Sequence, residues 1–294
     1  MQRAFTRALI VANPIARRNS PRLIEELQLA SPESVHWSVV ETRPTPMRPG
    51  EIEGEARSAD VLIAVGGDGT VTEALTGIGE VNLPLAIVPG GSTNVIAQEI
   101  GVPSDPAAIA RLIFGSHRIK LMDAAMCNDR IFLHMAGAGF DSRIFDGTDA
   151  NLKRRVGWMA YLPSAAQSLR MPPARFNVET ESARFELTSL MVLVANGAGI
   201  IRPSLYVYPG ISSDDGWLDL IAVTATAPRA IASVLARFAS RSMQQSPHVL
   251  HAKARRIRIE AEPQMPIQVD GDVIGTGPAD IHLLPHRARI IVPS

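Results

Sequence analysis

A carboxylate inside a glycine-rich turn is the first feature with chemical content. Val65-Gly66-Gly67-Asp68-Gly69-Thr70 follows the apolar run Val61–Val65 and precedes a helical stretch. Glycines in this density let a backbone turn sharply and approach a ligand closely, and the N-terminus of the next helix offers unpaired N–H groups to phosphate. Asp68 repels phosphate unless a divalent cation lies between them, so its presence points to a magnesium-nucleotide. An Asp-Gly turn joining strand to helix is the plain alternative.

A second loop of the same kind, Pro89-Gly90-Gly91-Ser92-Thr93-Asn94, follows the apolar run Leu85–Val88. Ser92 or Thr93 can cap the next helix, and either hydroxyl can bind phosphate or base. Two such turns after successive parallel strands fall at the carboxyl edge of an open α/β sheet, where ligands bind. Neither loop has the GxxxxGK[ST] of a Walker ATPase, and Gly67-Asp68-Gly69-Thr70-Val71-Thr72 lacks the third glycine of GxGxxG. The scattered histidines show no HExxH spacing, His134 sits in an apolar run as a core residue would, and Ser164 and Ser233 lack a GxSxG context.

Elements that could position these loops are legible around them. In the first 120 or so residues, Ala8–Ala12, Val35–Val40, Val61–Val65 and Leu85–Val88 read as strands, and Pro21–Leu29, Thr72–Ile78, Asn94–Ile100 and Pro106–Phe114 as helices. That alternation predicts a doubly wound α/β domain over residues 1–121, with Arg43–Gly50 as a Pro-rich loop. Residues 122–294 turn β-rich, with strands expected at Arg130–Met135, Ala174–Glu179, Arg184–Ala195, Trp217–Val223, Ala254–Ile259, Ile267–Val269 and Ala288–Val292. Helices Leu152–Leu169 and Pro228–Arg241 interrupt them, and a β-sandwich-like domain is expected.

The chain has 294 residues, 46% hydrophobic and 20% charged, which suits two folded domains and excludes a disordered or collagen-like chain. Lys plus Arg number 29 and Asp plus Glu 29, so no net field draws the chain to nucleic acid. The single Cys127 excludes an intramolecular disulfide and a multi-cysteine zinc site. The start reads as a strand rather than a signal peptide, and no window reaches the roughly 20 apolar residues of a membrane span. A cytoplasmic protein is expected, with peripheral membrane contact left open.

Several of these motifs occur together in a known order. Asn13-Pro14, Gly66–Thr70, Pro89–Asn94, Asp123 with Gly137-Ala138-Gly139-Phe140-Asp141, Asp214-Asp215-Gly216-Trp217-Leu218-Asp219 and Val269-Asp270-Gly271-Asp272 resemble the diacylglycerol kinase catalytic-domain family. That family includes bacterial lipid kinases, sphingosine kinases and ceramide kinases. The resemblance runs along nearly the whole chain and implies a Rossmann-like nucleotide domain, a β-sandwich domain and an active cleft between them, the plan shared with NAD kinases. It implies an ATP- and magnesium-dependent lipid kinase of phospholipid metabolism, acting on a diacylglycerol-like or sphingoid-like hydroxyl.

Carried over by position, the resemblance assigns ATP to Asn13, Thr42, Gly66, Gly67, Asp68, Gly69, Thr70, Val71, Thr72, Gly91, Ser92 and Asn94. It gives the catalytic magnesium to Asp68 and Asp123, partly through water, so that losing Asp68 is expected to cut turnover far more than stability and to leave the melting curve unchanged. Asp272 stands where the family's DGE motif places a glutamate general base, one methylene shorter. Asp215 with the carbonyls of Ser212 and Trp217 resembles a second, structural magnesium site. Ala16 or Arg17 replaces a glycine after Asn-Pro, leaving phosphate contact to Arg17 or Arg18, and Ser92 replaces a threonine. An NAD kinase-like phosphotransferase and an inactive nucleotide- or lipid-binding protein are the alternatives.

The basic run His251 to Arg258, read as one strand, puts Lys253 and Arg255 on one face and Arg256 and Arg258 on the other. It suits either anionic headgroups or a solvated strand edge. Lys153-Arg154-Arg155 carries the same pair of readings, and Gly157–Tyr161 could line a lipid cleft or pack as core. The lipid's identity is not legible, and a homodimer stays open.

Overall fold

Three apolar runs buried on both faces form the parallel core of the first half, with a fourth, half-exposed strand at its edge. β1 (Arg7–Ala12) lies between β2 (His36–Glu41) and β3 (Val61–Gly66), and β4 (Pro84–Pro89) follows β3, all parallel. A strand covered by helices on both faces has no polar side, which is why these segments read as continuous rather than alternating runs. The structure, a computed structural model, describes residues 5–16, 18, 20–92, 94–139, 173–197 and 208–294.

Side-chain alternation divides the strands between two cores. Ala8, Ile10, Val61, Ile63 and Val65 pack with α1 (Ser20–Leu29) and α5 (Pro106–Phe114). Leu9, Val11, Leu62 and Ala64 face α2 (Glu53–Arg57), α3 (Asp68–Gly77) and α4 (Val95–Glu99). The short α2 was not expected from sequence; the expected Arg43–Gly50 loop is irregular.

The second half is a sandwich, as expected, though several strands divide differently. Arg130–Met135 splits into β6 (Arg130–Phe132) and β7 (Met135–Ala138), with β5 (Arg118–Cys127) ahead of them. After β8 (Ala174–Thr180), the expected strand Arg184–Ala195 breaks at Leu190 into β9 (Arg184–Ser189) and β10 (Met191–Ala195), because the chain crosses there from one sheet to the other. β11 (Leu218–Val223) and α6 (Pro228–Ala239) match their expected segments closely.

Next, the expected Ala254–Ile259 divides at Arg255 into β12 (Val249–Ala254) and β13 (Arg256–Glu262), again in different sheets. The Glu181 carboxylate holds this corner by accepting from the amides of Arg255 and Arg256 at 2.8 and 3.1 Å. The basic run is therefore not one strand with two basic faces. The chain ends with β14 (Pro266–Val269), β15 (Asp272–Thr276) and the long β16 (Ala279–Val292). Leu152–Leu169, Lys153–Arg155, Gly157–Tyr161 and Ser164 lie outside the described residues, as do Arg17, Thr93, Phe140 and Asp141.

Among the described residues, the ten-stranded sheet runs β2-β1-β3-β4-β16-β13-β8-β9, with β5 on β16 and β6 on β5. The six-stranded sheet runs β12-β11-β10-β7-β14-β15 and packs on the larger one through Phe132, Phe176, Val192, Leu220, Ile257 and Ile281. β16 stitches the halves together. It pairs parallel with β4 and antiparallel with β5 and β13, so one hydrogen-bonded sheet passes through both. A division at residues 121 and 122 falls inside β5.

Candidate functional site

β3 delivers Gly66 and Gly67 to the carboxyl edge of the sheet, and β4 delivers Gly90 and Gly91 beside them. These loops touch backbone to backbone. A Cβ at Gly91 would stand 2.5 Å from the Cα of Gly67, and one at Gly66 would stand 2.2 Å from the Thr70 hydroxyl, so side chains cannot be accommodated there. The Gly90 amide donates to the Gly66 carbonyl at 2.7 Å. Asn94, in the left-handed region at φ 46°, closes its own turn: its side chain accepts from the Gly91 amide and donates to the Gly91 carbonyl, both at 2.9 Å.

Asp68 completes this joint. Its carboxylate oxygens accept from the amides of Val95 and Ile96, each at 3.0 Å, so it caps α4 from α3. The amides that a phosphate could have used at this helix end are already matched by a fixed carboxylate. Thr42, Gly66, Asp68, Val71 and Asn94 do not line the crevice, and Val71 packs in the core. Asn13, Gly67, Gly69, Thr70, Thr72, Gly91 and Ser92 line it.

The opposite wall comes from the sandwich. Asp270, at φ 47°, turns its carboxylate onto the amides of Leu133, His134 and Met135 at 3.0, 3.1 and 2.9 Å, while its own amide donates to the Met135 carbonyl. These bonds fill the break between β6 and β7 and fix the β14–β15 turn against it. Burial pushes the Asp270 carboxyl up, opposed by the charge of His134 and by the amides. Gly271, at φ +98°, then swings Asp272 to the crevice.

Between the walls lies a crevice of about 420 Å³, within the range of small-molecule sites. Arg43 and Met47 flank it, Arg130 joins Asp270 and Asp272 on the sandwich side, and Glu73 and Thr76 lie at its floor. Glu73 was missed in the sequence reading. Gly69, Thr72, Glu73 and Thr76 are spaced i, i+3, i+4 and i+7, one small and polar stripe along α3, and all of them face the crevice. The Glu73 carboxylate accepts from the Met47 amide at 3.0 Å. Its pKa is raised, chiefly by burial and also by the nearby charges of Asp272 and Glu51, with the Met47 amide and Arg130 acting the other way.

Asp123 is not part of this arrangement. It is fully buried, accepting from the amides of Gly216 and His286, each at 2.8 Å, and so ties β5 to the loop before β11 and to the bulge of β16. Its oxygens are already committed. The expected second cation loop is likewise engaged. Asp215 accepts from the Trp217 amide at 3.0 Å and pairs with the Lys253 ammonium, and the Ser212 hydroxyl bonds Asp214. Lys253 thus supplies positive charge beside the Asp215 carboxylate. Among the described residues, no cluster of three His, Cys, Asp or Glu side chains is arranged to hold an ion.

Arg255 and Arg258 of the basic run are matched locally too. Arg255 lies 4.6 Å over the Trp217 ring, and Arg258 pairs with Asp280 and Glu260. Among the described residues, no helix is long and apolar enough to cross a membrane.

Comparison with known proteins agrees with this architecture. The family model of the diacylglycerol kinase catalytic domain matches residues 7–127, and that of the YegS C-terminal NAD kinase beta sandwich-like domain matches residues 134–292. The chain belongs to this diacylglycerol kinase-like family. A diacylglycerol kinase of Staphylococcus epidermidis is 28% identical over 98% of this chain and 92% of its own. An uncharacterized protein of Synechocystis sp. is 30% identical over 82% of this chain, which spans only 56% of that relative. The crystal structure of a diacylglycerol kinase from Bacillus anthracis str. Sterne gives a TM-score of 0.72 at 25% identity, covering 99% of this chain and 98% of that one. A second structure from the same strain gives 0.76 at 26% identity, covering 99% and 97%.

The Asp68 cap corrects the expectation that this residue matters to turnover alone. Asp68→Ala leaves two amides of α4 without their acceptor and should lower unfolding free energy by about 1–3 kcal/mol in a urea titration. An unchanged midpoint would contradict the cap.

Glu73 generates a pH signature. Its folded-state carboxyl holds its proton to higher pH than the unfolded one, so stability falls as pH rises from the ordinary glutamate range through the raised value. Glu73→Gln removes that titration. Thermal melts from about pH 4 to 7 should show the variant gaining on the native chain as pH climbs; parallel curves would contradict it.

Proposed function

We propose that the chain is a lipid kinase that transfers the γ-phosphate of ATP to a lipid hydroxyl in this crevice. One observation carries the reading: the glycine loops of one half face the Asp270-Gly271-Asp272 turn of the other across a single cavity. Membership of the diacylglycerol kinase-like family supports kinase chemistry, and relatives named diacylglycerol kinase support a lipid acceptor. An apolar side chain at the crevice mouth favours the same class of acceptor: Ile15, on the loop wall, is 86% exposed.

On this reading, the close backbone of Gly67 and Gly69 and the Ser92 hydroxyl hold the triphosphate on the loop wall. The lipid hydroxyl enters beside Asp272. Its oxygen bonds to the γ-phosphorus as the bond from that phosphorus to the β–γ bridging oxygen breaks, and ADP leaves with the released electron pair. The hydroxyl proton passes to the Asp272 carboxylate. Since such chemistry depends mostly on position and charge, rigid walls matter more than reactive groups.

Magnesium fits this crevice through Glu73, because such an ion takes one or two protein carboxylates and completes its shell with phosphate and water. When bound, it offsets charge on the transferring phosphoryl group. Asp68 and Asp123 do not line the crevice and accept backbone amides, so a part for them in holding the ion runs through water. Asp272, shorter than glutamate, depends for its reach on the turn that Asp270 fixes.

Incubation with γ-labelled ATP, magnesium and a total lipid extract should place label in a lipid, with a parallel NAD reaction unlabelled. Asp272→Asn should cut transfer by at least about 100-fold, the scale of general-base catalysis, with an unchanged melting curve. Label in NAD but in no lipid would overturn the acceptor assignment, and full activity in Asp272→Asn would overturn the base.

A further inference from the structure

The two walls of the crevice differ in charge. The loop wall offers backbone and hydroxyl groups, whereas the sandwich wall offers the carboxyl of Asp272 and the guanidinium of Arg130, the Asp270 carboxyl behind them being held by three amides. A nucleotide whose phosphates start on the glycine loops must point its last phosphate at that second wall for an acceptor beside Asp272 to reach it. A wall of carboxylates alone would repel the phosphate, so the position of its cation matters.

Arg130 is the first residue of β6, held in place by main-chain pairing with Cys127 of β5 and by the neighbouring Ile131 amide, which donates to the Thr76 hydroxyl of α3 at 3.3 Å. Its own side chain is not committed. Among the described residues, the guanidinium donates to no carboxylate or carbonyl, and its nearest charge relation is the attraction it exerts on Glu73 at the crevice floor. Other described arginines around the nucleotide loops are engaged. Arg43 is ion-paired with Glu51, and Arg18 donates to the carbonyls of Pro89 and Ser104.

We infer that Arg130 is the protein's ligand for the terminal phosphate of the bound nucleotide, an inference that rests on the nucleotide-binding part of the function proposed above. A guanidinium is a planar fork that stays charged and grips phosphate oxygens bidentately, and half-burial strengthens the contact relative to an exposed site. Glu73 balances its charge before the nucleotide enters. The β6 strand therefore reads the number of phosphates, distinguishing the substrate nucleotide from its product while the glycine loops hold both alike.

Equilibrium binding of ATP and of ADP, each with magnesium, to the full native chain, Arg130→Met and Arg130→Lys tests this without any acceptor. ATP affinity should fall by at least about tenfold in Arg130→Met while ADP affinity stays within about twofold, since only the triphosphate loses a charge-assisted contact. Arg130→Lys, which keeps a point charge and a conservative stem, should lie between. Equal losses for ATP and ADP, or no loss for either, in whichever variant melts like the native chain, would overturn the assignment. A native chain that binds ATP but labels no lipid removes the lipid-kinase reading and leaves this comparison standing; one that binds neither nucleotide overturns both.

Discussion

A carboxylate taken out of water must be met by hydrogen-bond donors, and at three aspartates of this molecule the donors are backbone amides. Asp68 bonds the start of α4, Asp123 bonds Gly216 and His286, and Asp270 bonds Leu133, His134 and Met135. Each of these aspartates joins segments that are distant in the chain. Hydrogen bonds to charged groups contribute on the order of 1.5–3 kcal/mol, and an unmatched buried charge costs more. The three clamps therefore constrain the loop wall, the sandwich wall and the β5–β16 seam between them.

Rigid walls suit the chemistry proposed for the crevice. Phosphoryl transfer asks little covalent work of the protein and much positioning, so a site gains from groups whose freedom is removed before substrate arrives. Gly67 packs on Gly91 with no side chain intervening, and Asp270 fixes the turn that presents Asp272. The side chains left to act on a ligand are those the clamps do not use, chiefly Glu73, Arg130 and Asp272. Charge of both signs is thus gathered where a magnesium-nucleotide would bring its own.

Much of the fold was legible in the sequence. Continuous apolar runs such as Val61–Val65 can only be strands covered on both faces, and glycine-rich turns after them marked the edge where the crevice lies. Strand breaks at Leu190 and Arg255 were not legible, because a change of sheet leaves no mark in alternation; the Glu181 carboxylate that makes the second corner lies far away in sequence. The length of β16 was hidden by His286 and Arg287 in its bulge. Within the site, residue type told that aspartates mattered but not which way they pointed: Asp68, Asp123 and Asp270 spend their oxygens on amides. Glu73 belongs to the polar stripe on α3, but a lone helical glutamate at that spacing reads equally as a solvated face until the opposite wall is in place.

The account turns on a nucleotide held between both walls rather than on one of them. Hydrogen exchange measured with and without magnesium-ATP tests this directly. Slowed exchange both in the segment 66–72 and in the segment 270–276, which belong to opposite halves of the molecule, is the expected result. Protection confined to one wall, or absent from both, would contradict it.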